Sequence, residues 1–223
     1  MSYEATGLNL LLKSERSKMK EVFMRTSVIV CLLTILLPGW SHAMTDSPTA
    51  EVKSTADQVI RILTNPQYQA EAKREDRRKL LRDTILPRFD FQEMSKRALG
   101  TEWRRRTPEE QREFVKLFSD FLEKTYVRRI ESYNNEKFLY IAEKIDGSYA
   151  EVSSKIVTTK GEEFKIKYML HRPAEEWQVY DMVVEDISLI NNYRSQFGRV
   201  IAQSSYQELI RRLKDKLAQE GRL

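Results

Sequence analysis

Residues 162–171 read Glu162-Glu163-Phe164-Lys165-Ile166-Lys167-Tyr168-Met169-Leu170-His171. Phe164, Ile166, Tyr168 and Leu170 alternate with Lys165, Lys167 and His171. A period of two sends successive side chains to opposite faces of a sheet, so this stretch predicts a strand with one buried and one wet face. The same period extends outward from it. Strands are expected over 138–145, 149–159, 162–171 and 176–185. Asp146-Gly147, Lys160-Gly161 and Arg172-Pro173 separate them, and each pair is a turn signal. Links this short make neighbouring strands antiparallel, giving a meander. The fourth strand, from Trp177 to Val184, is apolar on both sides and is expected to be central or covered.

The flanks have a helical period. Val52, Val59, Ile60 and Leu63 form a stripe over 50–64 that ends at Asn65-Pro66, and a charge-rich second helix carries Leu80, Leu81 and Ile85. Asp90 with Glu93 opens a short third helix that buries Phe91, Met94 and Ala98 and stops at Gly100. Thr107 caps a fourth, with Pro108 in its first turn. Phe114, Leu117, Phe118, Phe121, Leu122 and Tyr126 give that helix one wide aromatic face. After the strands, Leu189, Tyr193, Phe197, Val200 and Ile201 mark a fifth helix. Ser205 with Glu208 then caps a sixth, bearing Tyr206, Leu209, Ile210, Leu213 and Leu217. The expected fold is α+β, a curved antiparallel sheet of about four strands with helices packed over one face.

The first forty residues read differently. Met24-Arg25-Thr26, an apolar run from Ser27 to Leu37, Pro38-Gly39 and Ser41-His42-Ala43 have the layout of a cleavable export signal, with the cut expected after Ala43. A run of about eleven residues is short for a membrane span, which takes roughly twenty. Residues 1–23 carry Glu4, Glu15 and Glu21, so translation could begin at Met1, Met19 or Met24. The lone cysteine, Cys31, lies in the signal core, and Val30 before it is too large for a lipoprotein cleavage box. One domain, 44–223, is expected beyond the signal, with a net charge of +3 and no cysteine. That charge makes no case for nucleic acid, and neither disulfides nor a thiolate metal site can form.

Two groups of residues then match a known pattern. Phe89-Asp90-Phe91, Met94, Leu99-Gly100, Trp103 and Thr107-Pro108-Glu109-Glu110-Gln111-Arg112-Glu113-Phe114 are the first. Trp177-Gln178-Val179-Tyr180-Asp181, Glu185-Asp186-Ile187-Ser188-Leu189 and Tyr193-Arg194-Ser195-Gln196-Phe197 are the second. Together they resemble the MlaC (toluene-tolerance, ABC transporter auxiliary component) family of periplasmic phospholipid-binding proteins. One departure is visible. Glu185-Asp186-Ile187-Ser188 stands where the family pattern has Glu-Gly-Val-Ser, and Asp in place of Gly disfavours a positive φ. The expectation is a re-aimed turn, or Asp186 as cap of the next helix.

The resemblance implies a hydrophobic lipid slot between sheet and helices. It also implies a glycerophospholipid cargo passed between an outer-membrane lipoprotein complex and an inner-membrane MCE-domain/ABC transporter complex, which maintains outer-membrane lipid asymmetry. No cofactor or metal is implied. The expected lining is Val152, Ile156, Phe164, Ile166, Tyr168, Val179 and Val183 on the sheet, with Phe118, Phe121, Leu122, Ile187, Leu189, Tyr193 and Phe197 beyond it. Apolar residues at these periods equally build a closed core. Arg104, Arg105 and Arg106 form the densest positive run, suited to a lipid head group or partner docking, or to a solvated loop.

Three other readings remain at this level: a hopanoid-pathway carrier, an envelope adaptor that holds no lipid, and an enzyme. The chain has no Gly-x-Ser-x-Gly, no His-Glu-x-x-His and no phosphate loop, which disfavours catalysis. The one histidine beyond the signal, His171, has no partner evident in sequence. Asp181 interrupts an apolar strand, which suggests a structural hydrogen bond.

Overall fold

The computed structural model describes residues 47–220. The export signal, its cleavage point, Cys31 and the candidate start sites lie outside the described residues. Helix α1 spans Pro48–Thr64, α2 Arg74–Ile85, α3 Phe91–Leu99 and α4 Pro108–Glu131. Strands β1 (Lys137–Asp146), β2 (Tyr149–Val157), β3 (Glu163–His171) and β4 (Gln178–Val184) follow, then a short β5 (Ile187–Ser188). Helices α5 (Leu189–Gln203) and α6 (Tyr206–Glu220) end the described chain. The sheet order is β1-β2-β3-β4-β5, with each neighbouring pair antiparallel. It is the expected meander with one added strand.

Local chemistry explains most of the boundaries. Thr107 and Glu110 form a reciprocal capping box at α4, with Pro108 in the first turn. Asp90 caps α3 by accepting the Glu93 amide at 2.8 Å, and Gly100 ends it at φ +59°. Residues 100–105, including Arg104 and Arg105, form a 3-10 turn where a loop was expected. The predicted fourth strand is shorter than 176–185, because Glu185 and Asp186 turn the chain back into β5 at φ 48° and 63°.

Two apolar clusters hold the molecule. One is made by helices alone: Phe114, Phe118 and Leu122 of α4 pack with Tyr193 and Phe197 of α5, Met94 and Ala98 of α3, and Leu209 and Leu213 of α6. Phe118 sits edge-on to Tyr193 and Phe197, at 5.3 and 5.4 Å between ring centres. The second joins α1 to the sheet, with Val52 against Ala150, Val152, Leu170, Trp177 and Val179. The N-terminus of α1 is tied to β1 by Glu143, whose Oε2 accepts the Ser47 hydroxyl and the Thr49 amide at 2.8 Å each. Farther along, Glu131 at the end of α4 is gripped by Arg77 and Arg78 of α2 at 3.2 and 3.0 Å.

Candidate functional site

The register assigns the paired sheet residues to faces, leaving Ile141 and Tyr180 unpaired. Ala150, Val152, Ser154 and Ile156 on β2 lie opposite Leu170, Tyr168, Ile166 and Phe164 on β3. Phe138 and Tyr140 of β1 extend that surface on one side, Met182, Val184 and Ile187 on the other. The result is a broad apolar face. Its Ala150–Leu170–Val179 end is sealed beneath α1 and Trp177. Its other end is open: Phe164, Val184 and Ile187 are 41%, 40% and 65% exposed. Large apolar side chains gathered in the open on one face mark a binding surface more often than chance exposure does.

Midway along lie three hydroxyls. Ser154, fully enclosed, donates to the Ile166 carbonyl at 3.3 Å. Burial pushes the neighbouring Tyr168 phenol up to about 12, with the Ser154 hydroxyl pulling the other way. Tyr140, opposite Ser154, has its hydroxyl shielded from solvent and without a hydrogen-bond partner among the described residues.

The expected lining residues separate into groups. Val152, Ile166 and Val179 are buried on the apolar face, Ile156 and Tyr168 are half-buried there, and Phe164 lies in its open part. Ile187 joins them across the β4–β5 pairing. Val183 does not. An irregularity between Met169 and Leu170 leaves Tyr180 as an extra residue, so Val179 and Val183 fall on opposite faces. Val183 instead stands beside Lys167 and Ser188. Phe118, Leu122, Tyr193 and Phe197 are enclosed in the helical cluster, with Phe121 and Leu189 half-buried against it. They pack on one another, because an aromatic face on α4 finds its nearest complement on α5.

The arginine run is also partly satisfied from within. Arg105 and Arg106 pair with Glu102, at 2.7 and 3.5 Å, and Arg106 lies over the Tyr206 ring. Arg104 points outward. An open groove of about 300 Å³, lined by Gln58, Arg61, Ile62, Asn65, Tyr68 and Thr84, is too polar for acyl chains.

The profile of the MlaC protein family matches residues 53–215. The chain belongs to the MlaC family. It is similar to the intermembrane phospholipid transport system binding protein MlaC of Haemophilus influenzae, with 21% identity over 198 residues covering 86% of this chain and 92% of that one. Toluene tolerance protein ttg2D of Pseudomonas putida is 28% identical over 114 residues, half of this chain and 53% of the relative. A phospholipid-binding protein of Ralstonia solanacearum, solved in complex with a phospholipid, superposes with a TM-score of 0.68 at 26% identity. It covers 77% of this chain and 97% of that structure.

Against the MlaC family pattern, the turn at Glu185-Asp186 can now be placed. Asp186 adopts a positive φ of 63° in the position where the pattern has glycine. The Glu185 side chain and amide both bond to the backbone of Lys165 and fasten the turn to β3. Asp186 does not cap α5. Ser188 does, accepting the Asn191 amide at 3.0 Å, and it donates to Asp181 at 2.6 Å. Asp181 also accepts the Ile190 amide at 3.0 Å, which is the structural role its sequence position suggested.

His171 has a partner that the sequence hid. Its Nε2 stands 2.9 Å from Asp90, 81 residues away, and its ring packs between Tyr149 and Tyr180. Sequence reasoning does not single out Tyr140, Ser154 or Glu143. Ser154 alone left a trace, as the polar member of the series Ala150, Val152, Ser154, Ile156.

Proposed function

We propose that this protein is a periplasmic carrier that holds one glycerophospholipid with its acyl chains on the apolar sheet face. It passes the lipid between an outer-membrane lipoprotein complex and an inner-membrane MCE-domain/ABC transporter complex. The observation that carries this reading is the half-covered apolar face, in a fold that matches a phospholipid-bound protein over nearly all of that protein's length.

The physical need is simple. Two acyl chains hold roughly thirty methylenes, and at about 0.8 kcal/mol each their transfer into water costs on the order of 20 kcal/mol. A protein face that replaces water removes most of that barrier without any bond being made or broken. No helix among the described residues is long and apolar enough to cross a membrane, consistent with a carrier that leaves one membrane before meeting the next. A cleavable signal ending at Ala43 would deliver it to the periplasm.

Loading the protein with a fluorescent phospholipid and mixing it with acceptor membranes tests the reading. Membranes holding an MCE-domain/ABC transporter complex are expected to accept lipid faster than plain vesicles. Equal rates would overturn the partner assignment, and failure to load at all would overturn the carrier.

A further inference from the structure

Among the described residues, the apolar face carries a shielded hydroxyl with no hydrogen-bond partner. Tyr140 Oη is shielded from solvent, and no described residue offers it an acceptor. Its cross-strand neighbour Ser154 donates to the Ile166 carbonyl and makes no hydrogen bond with the Tyr140 hydroxyl. Asp57 of α1, close enough for its charge to act on the Tyr140 phenol, is held by Lys53 at 2.7 Å. Burial, with Tyr168 and Asp57 nearby, pushes the phenol well above its ordinary pKa, so it stays protonated and able to donate. A buried donor left unpaired carries a desolvation penalty that a ligand acceptor relieves.

Position narrows the choice of acceptor. Tyr140 lies between the sealed end of the face at Ala150 and Leu170 and the open end at Phe164 and Ile187. A diacyl lipid lying along this face would pass acyl chain over most of it. The acceptors nearest its chains are the two ester carbonyls where chains join glycerol. We propose that the Tyr140 hydroxyl donates a hydrogen bond to an ester carbonyl of the bound lipid, making this protein selective for ester-linked glycerolipids. The inference rests on the carrier reading above and adds to it a specificity residue. A site built to donate a hydrogen bond discriminates against a ligand that lacks the acceptor. A polycyclic hydrocarbon lipid has no carbonyl at this depth and would leave the donor unpaired.

The test is a competition. The protein, expressed from the full 223-residue chain, purified and stripped of lipid, is mixed with vesicles. The vesicles contain equal amounts of a diester phosphatidylglycerol and its dialkyl ether analogue of matched chain length. Native mass spectrometry then reads the ratio of the two adducts. The expected ratio favours the ester by about three- to tenfold, the range for one neutral hydrogen bond. Tyr140→Phe removes only the hydroxyl and is expected to bring the ratio to about one while still loading lipid. An ester preference kept by Tyr140→Phe, or no preference in the unaltered protein, would overturn the proposal and leave the carrier standing. Failure to take up either lipid would overturn both.

Discussion

Two aspartates at the β4–β5 corner show how single residues set the geometry on which the site depends. Asp181 is nearly enclosed and accepts from both Ser188 and the Ile190 amide, so it fixes the start of α5 against β4. Asp181→Ala would strand the buried Ile190 amide and the part-buried Ser188 hydroxyl. The expected loss is about 2–3 kcal/mol in urea unfolding. Asp186 works in the other direction, since it holds a left-handed backbone that glycine adopts freely. Asp186→Gly is expected to raise stability by about 0.5–1 kcal/mol, as relief of strain exceeds the added entropy of the unfolded chain. Unchanged or lower stability in the same urea measurement would mean the turn is set by the Glu185 bonds to Lys165 alone. The sequence flagged both residues, Asp181 as a polar break in an apolar strand and Asp186 as a departure from a family pattern. It could not show that Ser188 caps α5, because several side chains nearby could have done so.

Among the elements, α1 is tied to the sheet by a long-range cap that leaves no local trace in sequence. Burial pushes the Glu143 carboxyl up, but the donors at Thr49 and Ser47 outweigh it and hold it below its ordinary value near 4.5. A lowered carboxylate pKa gives stability that is complete above the unfolded value and disappears as pH falls through the folded one. The α1 tie is therefore expected to be intact above about pH 4.5 and to loosen below it. Hydrogen exchange at the Thr49 amide reads this directly. A protection factor, corrected for the intrinsic pH dependence of exchange, that falls on acidification and is matched by Glu143→Gln at neutral pH is expected; a protection factor that does not change with pH would contradict it. Strand and helix periods, turn dipeptides and local caps were legible in the sequence because they depend on neighbours a few residues apart. Glu143 with Ser47, Glu131 with Arg77 and His171 with Asp90 were not, because those pairs meet only after the chain has folded. The irregularity at Tyr180 was hidden for the same reason, and it moved Val183 off the face on which parity had placed it.

At the scale of the whole molecule, the division of labour between two apolar clusters matters most. The helical cluster of Phe118, Tyr193 and Phe197 is closed and holds α3 to α6 together, while the sheet face is closed at one end and open at the other. Sequence periodicity could not separate them, since a filled core and a ligand surface draw on the same residue types. The pairing register does. Phe164 and Lys165 are adjacent in sequence and point to opposite faces of β3, so they make a matched pair of probes. Phe164→Glu places a charge on the open apolar face and is expected to lower retained lipid at least tenfold, since more than 1.4 kcal/mol of apolar contact is lost. Lys165→Glu, on the wet face, is expected to leave lipid retention unchanged. Equal effects of the two changes would mean that lipid is not held on this face.

Native mass spectrometry of the protein as purified from the periplasm, followed by extraction and identification of whatever it carries, tests the central claim most directly. The account predicts a one-to-one adduct with the mass of a diacyl glycerophospholipid. A bare protein mass, from a preparation that also takes up no lipid from vesicles, would contradict it and leave an envelope adaptor as the better description.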